Sequence, residues 1–141
     1  MADPYDLERF VTAQKPLHER VTRELRAGDK ETHWMWFVFP QIAGLGRSPT
    51  AVRYAISSLD EAKAYLVHPI LGARLRECAR LVLGVEGRTA RDIFGPVDEM
   101  KFRSSMTLFM KAAPDEPLFA GCLEKYFGGR PDPATLEKLS G

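Results

Sequence analysis

The chain lacks a surplus of charge. Its 20 Lys+Arg stand against 19 Asp+Glu, a net +1, so no long-range field draws it to a polyanion, which argues against a dedicated nucleic-acid binder. Histidine and cysteine are scarce, three and two residues. His18, His33, His68, Cys78 and Cys122 show none of the usual ligand spacings, and HExxH, CxxC and GxSxG are all missing; no metal and no cofactor is expected. Cys78 and Cys122 lie far apart, each beside apolar residues, and read as two buried reduced thiols. The N-terminus has no basic region followed by an apolar one, so no signal peptide is read there and the expected location is cytoplasmic. The longest apolar run, Trp34 to Pro40, falls far short of the ~20 residues of a membrane span. Repeats, low-complexity tracts and long linkers are absent too.

What is present is an ordinary globular composition, 45% hydrophobic and 28% charged over 141 residues. A chain of this length buries roughly 68–70% of its unfolded surface in one core. It reads as short helices with marked ends. Asp3-Pro4 predicts a first helix over 4–14, with Leu7, Phe10, Val11 and Gln14 on one stripe. Pro16 opens a second, carrying Leu17, Val21 and Leu25 and closed by Gly28. Pro49-Thr50 opens a third with Val52, Tyr54, Ala55 and Leu59 as its apolar members, and Ser58–Glu61 fits a capping box for a fourth ending before Pro69. Leu71, Leu75, Cys78 and Val82 form a clean stripe on the next. Thr89–Asp92 starts a single turn stopped by Gly95-Pro96. A helix over 97–112 then buries Phe102, Met106 and Phe109. Asp115 is read as the cap of another ending at Gly128-Gly129, and Asp132-Pro133 opens the last. Trp34–Phe39 has strand-like composition, but no second run can pair with it, so a short buried helix or turn is the better reading. The expected fold is all-α, a single domain over 3–139 of about seven to nine short helices.

Three segments carry the residue types of chemistry. His33–Gln41 holds both tryptophans between a histidine and a glutamine. Trp34 or Trp36 could stack a planar ring, with His33 moving a proton and Gln41 orienting the ligand; the plainer reading is that these aromatics are core. Gly44, Gly46 and Arg47, ahead of Ser48, Pro49 and Thr50, have the ingredients of an anion cradle at a helix start. They lack a third glycine, a preceding strand and a P-loop lysine, and a capped flexible loop explains them as well. Lys101 and Ser105 lie four apart on one helix, with Ser104 beside them and Arg103 on the polar arc. A lysine next to a serine can activate it as a nucleophile, or the set can hold an anion; a solvated basic face is the plainer reading. His68, before Pro69, reads as structural.

Several stretches together resemble the DUF1810 family: Asp6–Phe10 with Ala13-Gln14, His33–Gln41, Gly44–Gly46, Arg53–Ile56, Tyr65–Gly72 and Lys101–Phe109. The resemblance runs from about Asp3 to Leu139. It implies a compact, free-standing helical domain and no established activity, cofactor or catalytic residue. The calpastatin-like label that some members carry does not fit, because inhibitory segments of that kind are disordered and this chain reads as globular.

Two functions of different class follow. The first is a pocket protein or enzyme acting on a small anionic, nucleotide-like ligand. Its catalytic set would be His33, Lys101 and Ser105. Its binding set would be Trp34, Trp36, Gln41, Gly44, Gly46, Arg47, Arg53, Arg103 and Ser104. The second is a non-catalytic module whose Trp- and Phe-rich segment docks a protein partner. RNA contact through aromatic stacking is a third, disfavoured by the balanced charge. Exposure separates the first two: a concave pocket with inward polar groups favours a ligand, an exposed apolar patch a partner.

Overall fold

The helix ends read in the sequence become hydrogen bonds in the computed structural model, which describes residues 3–140. Among these residues nine helices follow one another: α1 (Glu8–Gln14), α2 (His18–Ala27), α3 (Met35–Val38), α4 (Pro49–Arg53), α5 (Leu59–Val67), α6 (Leu71–Leu83), α7 (Ala90–Ala112), α8 (Pro117–Phe127) and α9 (Pro133–Ser140). No strand occurs among the described residues; a lone parallel bridge links Ile42 and Ile56. Ser48 caps α4 by accepting from the Ala51 N–H, and Ser58 caps α5 by accepting from Glu61. Thr89 and Asp92 form a reciprocal capping box at the start of α7. The Nδ1 of His68 accepts from the Ile70 and Leu71 N–H groups where α6 begins.

The core forms around α7, which packs against α8, α5, α9 and α3. Its Phe102, Met106 and Phe109 are fully buried, beside Tyr65 of α5 and Phe119 of α8. The stripe Leu71, Leu75, Cys78 and Val82 of α6 completes the interior. Both thiols are buried and unpaired, and desolvation pushes each up to about 12, so neither is a nucleophile at neutral pH. Gln14, placed on an apolar stripe by its spacing, is buried as a polar anchor. Its amide donates to the Phe37 carbonyl at 2.6 Å and the Tyr65 hydroxyl at 3.0 Å, tying α1 to α3 and α5.

Two helix starts and one burial differ from expectation. Asp3 does cap, accepting from the Leu7 and Glu8 N–H groups. But Asp6 takes a positive φ of 51°, so α1 begins at Glu8 instead of Pro4. Asp115 caps nothing: the flanking residue of α8 is Glu116, and its carboxylate turns instead to the Arg76 guanidinium at 2.9–3.1 Å. Val52, expected to face inward, is 63% exposed, and α4 buries none of its five residues.

The short helix α3 is positioned by a carboxylate. Glu24 of α2 is buried, and its Oε1 accepts from the N–H groups of Glu31 (2.9 Å) and Thr32 (3.1 Å) and from the Trp34 indole (2.9 Å). Its Oε2 accepts from the Thr32 hydroxyl at 2.7 Å. Burial alone would push this carboxyl up, but the four hydrogen bonds together hold it below its ordinary value of 4.5. A depressed pKa contributes stability that is complete above the unfolded value and lost as pH falls through the folded one. Glu24→Gln is therefore expected to cost about 2–4 kcal/mol at neutral pH. In urea unfolding followed from pH 7 to pH 3, the gap between variant and wild type should narrow below about 4.5. A gap that stays constant through that range would show that the charge of Glu24 is not what the four donors require.

Candidate functional site

The site is built where α7 breaks. Gly95 has φ 86° and ψ 167°, a region essentially reserved for glycine, and Pro96 follows before the helix resumes over 96–112. The first turn after the break lines a concavity of about 340 Å³ together with Lys30, His33, Trp36 and Lys101. On its other side Lys101 lines a second concavity of about 270 Å³, with Gln41, Gly46, Ser104 and Asp132. Trp36, Gln41 and Gly46 also border a crevice of about 10 Å³ in front of Tyr54. Parts of all three chemistry-bearing segments thus line adjoining concavities that share Lys101, Trp36, Gln41 and Gly46 among them, together called the groove below.

The electrostatics of the groove centre on Asp98. Its carboxylate pairs with Lys30 at 2.8 Å through one oxygen and with Lys101 at 3.2 Å through the other. Lys30 is the more buried cation. It also donates to the Thr32 carbonyl at 2.6 Å and sits 5.0 Å from the centre of the Trp34 ring. Lys101 stands 4.7 Å over the Trp36 ring. Two ammonium groups share a single carboxylate beside the positive end of a resumed helix, so this half of the groove favours an added negative charge. Among the described residues, the side chains of His33, Trp36 and Gln41 form no hydrogen bond within the protein, which leaves them free for a ligand.

The sequence-derived set divides here. His33, Trp36, Gln41, Gly46, Lys101 and Ser104 line the groove. Trp34 does not: it is fully buried, its indole N–H is taken by Glu24, and it packs against Phe39. The catalytic set His33, Lys101 and Ser105 does not assemble, because Ser105 is fully buried and lines neither concavity, while the Lys101 ammonium turns to Asp98 and Trp36. Its hydroxyl has no hydrogen-bond partner among the described residues. The anion cradle does not form as expected. Gly44 faces Lys138, Arg47 is exposed and borders no cavity described here, and Gly46 alone reaches the groove. A Cβ on Gly46 would stand 2.6 Å from that of Ala51, so only glycine lets this loop close on α4. Arg53 is exposed over the Tyr54 ring, and its carbonyl is held by Arg9.

Arg103 and Ser104 do structural work beside the groove. Arg103 donates to the carbonyls of Arg130 (2.9 Å) and Pro131 (3.0 Å), fixing the chain just before Asp132. The Ser104 hydroxyl lies 3.0 Å from both the Met100 carbonyl and Asp132, its single proton shared between the two acceptors. Lys30, Asp98 and Asp132 went unremarked as site residues in the sequence. Lys30 and Asp98 are 68 positions apart, and no local pattern announces such a pair.

Other concavities offer less. A cavity of about 10 Å³ between Gln14 and Cys78 has room for one water. A depression of about 450 Å³ by Leu59, Leu136 and Leu139 has Lys111 as its one titratable lining group. Among the described residues no group of three or more His, Cys, Asp or Glu is placed to hold a metal, and no helix is long and apolar enough to cross a membrane.

The sequence profile described as "Protein of unknown function (DUF1810)" matches residues 4–139. The chain belongs to the DUF1810 family. This DUF1810 chain is also similar to a solved structure, the crystal structure of the conserved hypothetical protein Rv1873 from Mycobacterium tuberculosis. The two share 56% identity over 99% of both chains, with a TM-score of 0.97. No curated protein matches the chain.

The break in α7 can be tested directly. A Cβ at Gly95 would meet no atom within 4 Å, so Gly95→Ala loses stability through its backbone alone, about 1–3 kcal/mol. Thermal unfolding measures it. Wild-type stability in the variant would mean that α7 runs as readily unbroken.

Proposed function

We propose that the groove binds a small anionic ligand bearing a planar ring, of nucleotide-like chemistry. The observation that carries this reading is the position of Lys101. Its side chain lines both concavities, and its ammonium sits 4.7 Å over the half-buried Trp36 ring and shares its one carboxylate partner with Lys30. Lys101 and Lys30 hold the charge, Trp36 offers the ring its face or edge, and His33 and Gln41 supply hydrogen bonds from opposite ends. The first concavity, about 340 Å³, lies at the small end of ligand pockets, which run from ~300 to ~1,000 Å³, and the second, about 270 Å³, just below it. A cytoplasmic place accords with two unpaired buried thiols and the absence of a spanning helix among the described residues.

Docking of a protein partner is the less supported reading. The aromatic segment offers no flat patch, since Trp34 is buried and Trp36 faces a concavity. The exposed apolar side chains at the groove rim are Val97 and Met100, too few for the aromatic core of a docking surface.

The two tryptophans make the test simple. Trp34 is sealed in the core and Trp36 borders the groove, so AMP binding should quench the emission of Trp36 alone. The quench is expected in wild type and absent in Trp36→Phe. Lys101→Ala should weaken binding about tenfold, the loss of one charge-assisted contact worth ~1.4 kcal/mol. Circular dichroism checks that both variants fold. Equal affinity of Lys101→Ala and wild type, or no quench with AMP and inorganic phosphate alike, would remove this reading.

A further inference from the structure

Asp132 holds one carboxylate oxygen in reserve. It flanks α9 and is 7% exposed, yet every hydrogen bond to its side chain goes to Oδ2. That oxygen accepts from the Ser104 hydroxyl at 3.0 Å, the Thr135 N–H at 3.1 Å and the Thr135 hydroxyl at 2.6 Å. Capping a helix needs one oxygen, and Oδ2 supplies it. Oδ1 accepts nothing from the described residues, and unlike the Ser105 hydroxyl it is not sealed from solvent, so it stays open to a ligand donor. Asp132 lines the second concavity beside Gln41, Ser104 and Lys101.

We propose that this end of the groove is a hydroxyl-reading subsite, and that the ligand is a phosphorylated sugar or a nucleotide that keeps its ribose hydroxyls. This rests on the anionic-ligand reading above and names the other half of the same molecule. The phosphate lies toward Lys30 and Lys101, and vicinal hydroxyls lie against Asp132. Lys101 also argues for hydroxyls over an amine. A cationic ligand group would meet its ammonium in the same concavity, whereas a neutral hydroxyl donates to Oδ1 and accepts from the lysine or the Gln41 amide. The carboxylate is held for this task. Arg103 fixes residues 130 and 131, the Thr107 hydroxyl accepts from the Asp132 N–H at 2.9 Å, and Ser104 and Thr135 fix Oδ2. An acceptor so fixed loses little freedom on binding.

The experiment titrates the Trp36 quench with AMP and with its 2′,3′-dideoxy analogue, in wild type and in Asp132→Asn. Wild type should bind AMP about tenfold more tightly than the dideoxy compound. Asp132→Asn, whose remaining carbonyl oxygen still caps α9, should bind both with the affinity wild type shows for the dideoxy compound. Equal affinities in wild type would overturn the inference while leaving the anionic site intact, and need no variant to fold. Undiminished discrimination in a folded Asp132→Asn protein would overturn it as well. Failure of both nucleotides to quench would overturn this subsite, and failure of inorganic phosphate as well would remove the anionic site with it.

Discussion

Much of this structure hangs on where one carboxylate sits. Glu24 is buried on α2, and its four hydrogen bonds reach across residues 31–34 to the indole of Trp34. That holds Trp34 inward at the start of α3. One turn of helix then decides the rest: Met35, Phe37 and Val38 are buried, whereas Trp36 is left at the edge. His33, on the other side of Trp34, is exposed for the same reason. The face of α3 offered to the groove follows from an ion–dipole arrangement in the core. An isolated buried carboxylate costs several kcal/mol and persists only if its lone pairs are met, and the loop over 28–34 meets them.

A second constraint acts from the far side. Lys30 leaves the same loop, and its backbone N–H donates to the Ile93 carbonyl at 2.8 Å while its ammonium pairs with Asp98. These two contacts straddle Gly95, one before the break in α7 and one after it. The loop that carries Glu24's donors therefore also fixes the direction in which the helix resumes. Lys101, in the second turn after the break, is brought over Trp36 as a result. Groove and core are not separable: the ring that borders the groove and the ring that fills the interior are two residues apart on one peptide.

Most of the fold was legible because its signals are local. Serine and threonine caps, prolines at first turns and the 3.6-residue stripes of α6 and α7 act within a few residues, and the all-helical class follows from them. One helix start shifted through the local φ of Asp6, the other where a distant partner outweighed a local preference. Glu116 gives its carboxylate to Arg76 of α6, forty residues back, and Asp115 has no cap to make. The site was legible in part on the same terms. Segments rich in unusual side chains were visible, but which member of each faces the groove was not. Trp34 and Trp36 are equivalent by composition, and only Glu24, ten residues upstream of Trp34, separates them. The serine pair divides similarly, Ser104 toward Asp132 and Ser105 into the core with no partner.

In the subsite proposed above, Asp132 serves as helix cap and ligand contact at once. Its position before Pro133 reads as an ordinary helix start, and Oδ2 behaves as one. The same bonds that make the cap immobilise the second oxygen at the groove, so rigidity needed for the fold becomes preorganisation for binding. The basic end differs. Lys101 is half-buried, and its ammonium, at the end of a long side chain, is held by one ion pair with Asp98 and by the face of Trp36. A carboxylate oxygen fixed through its own helix cap is the stiffer contact, so the groove discriminates at the acceptor and adapts at the cation. Specificity should therefore sit with the hydroxyl pattern of the ligand, and tolerance with the number and placement of its phosphates.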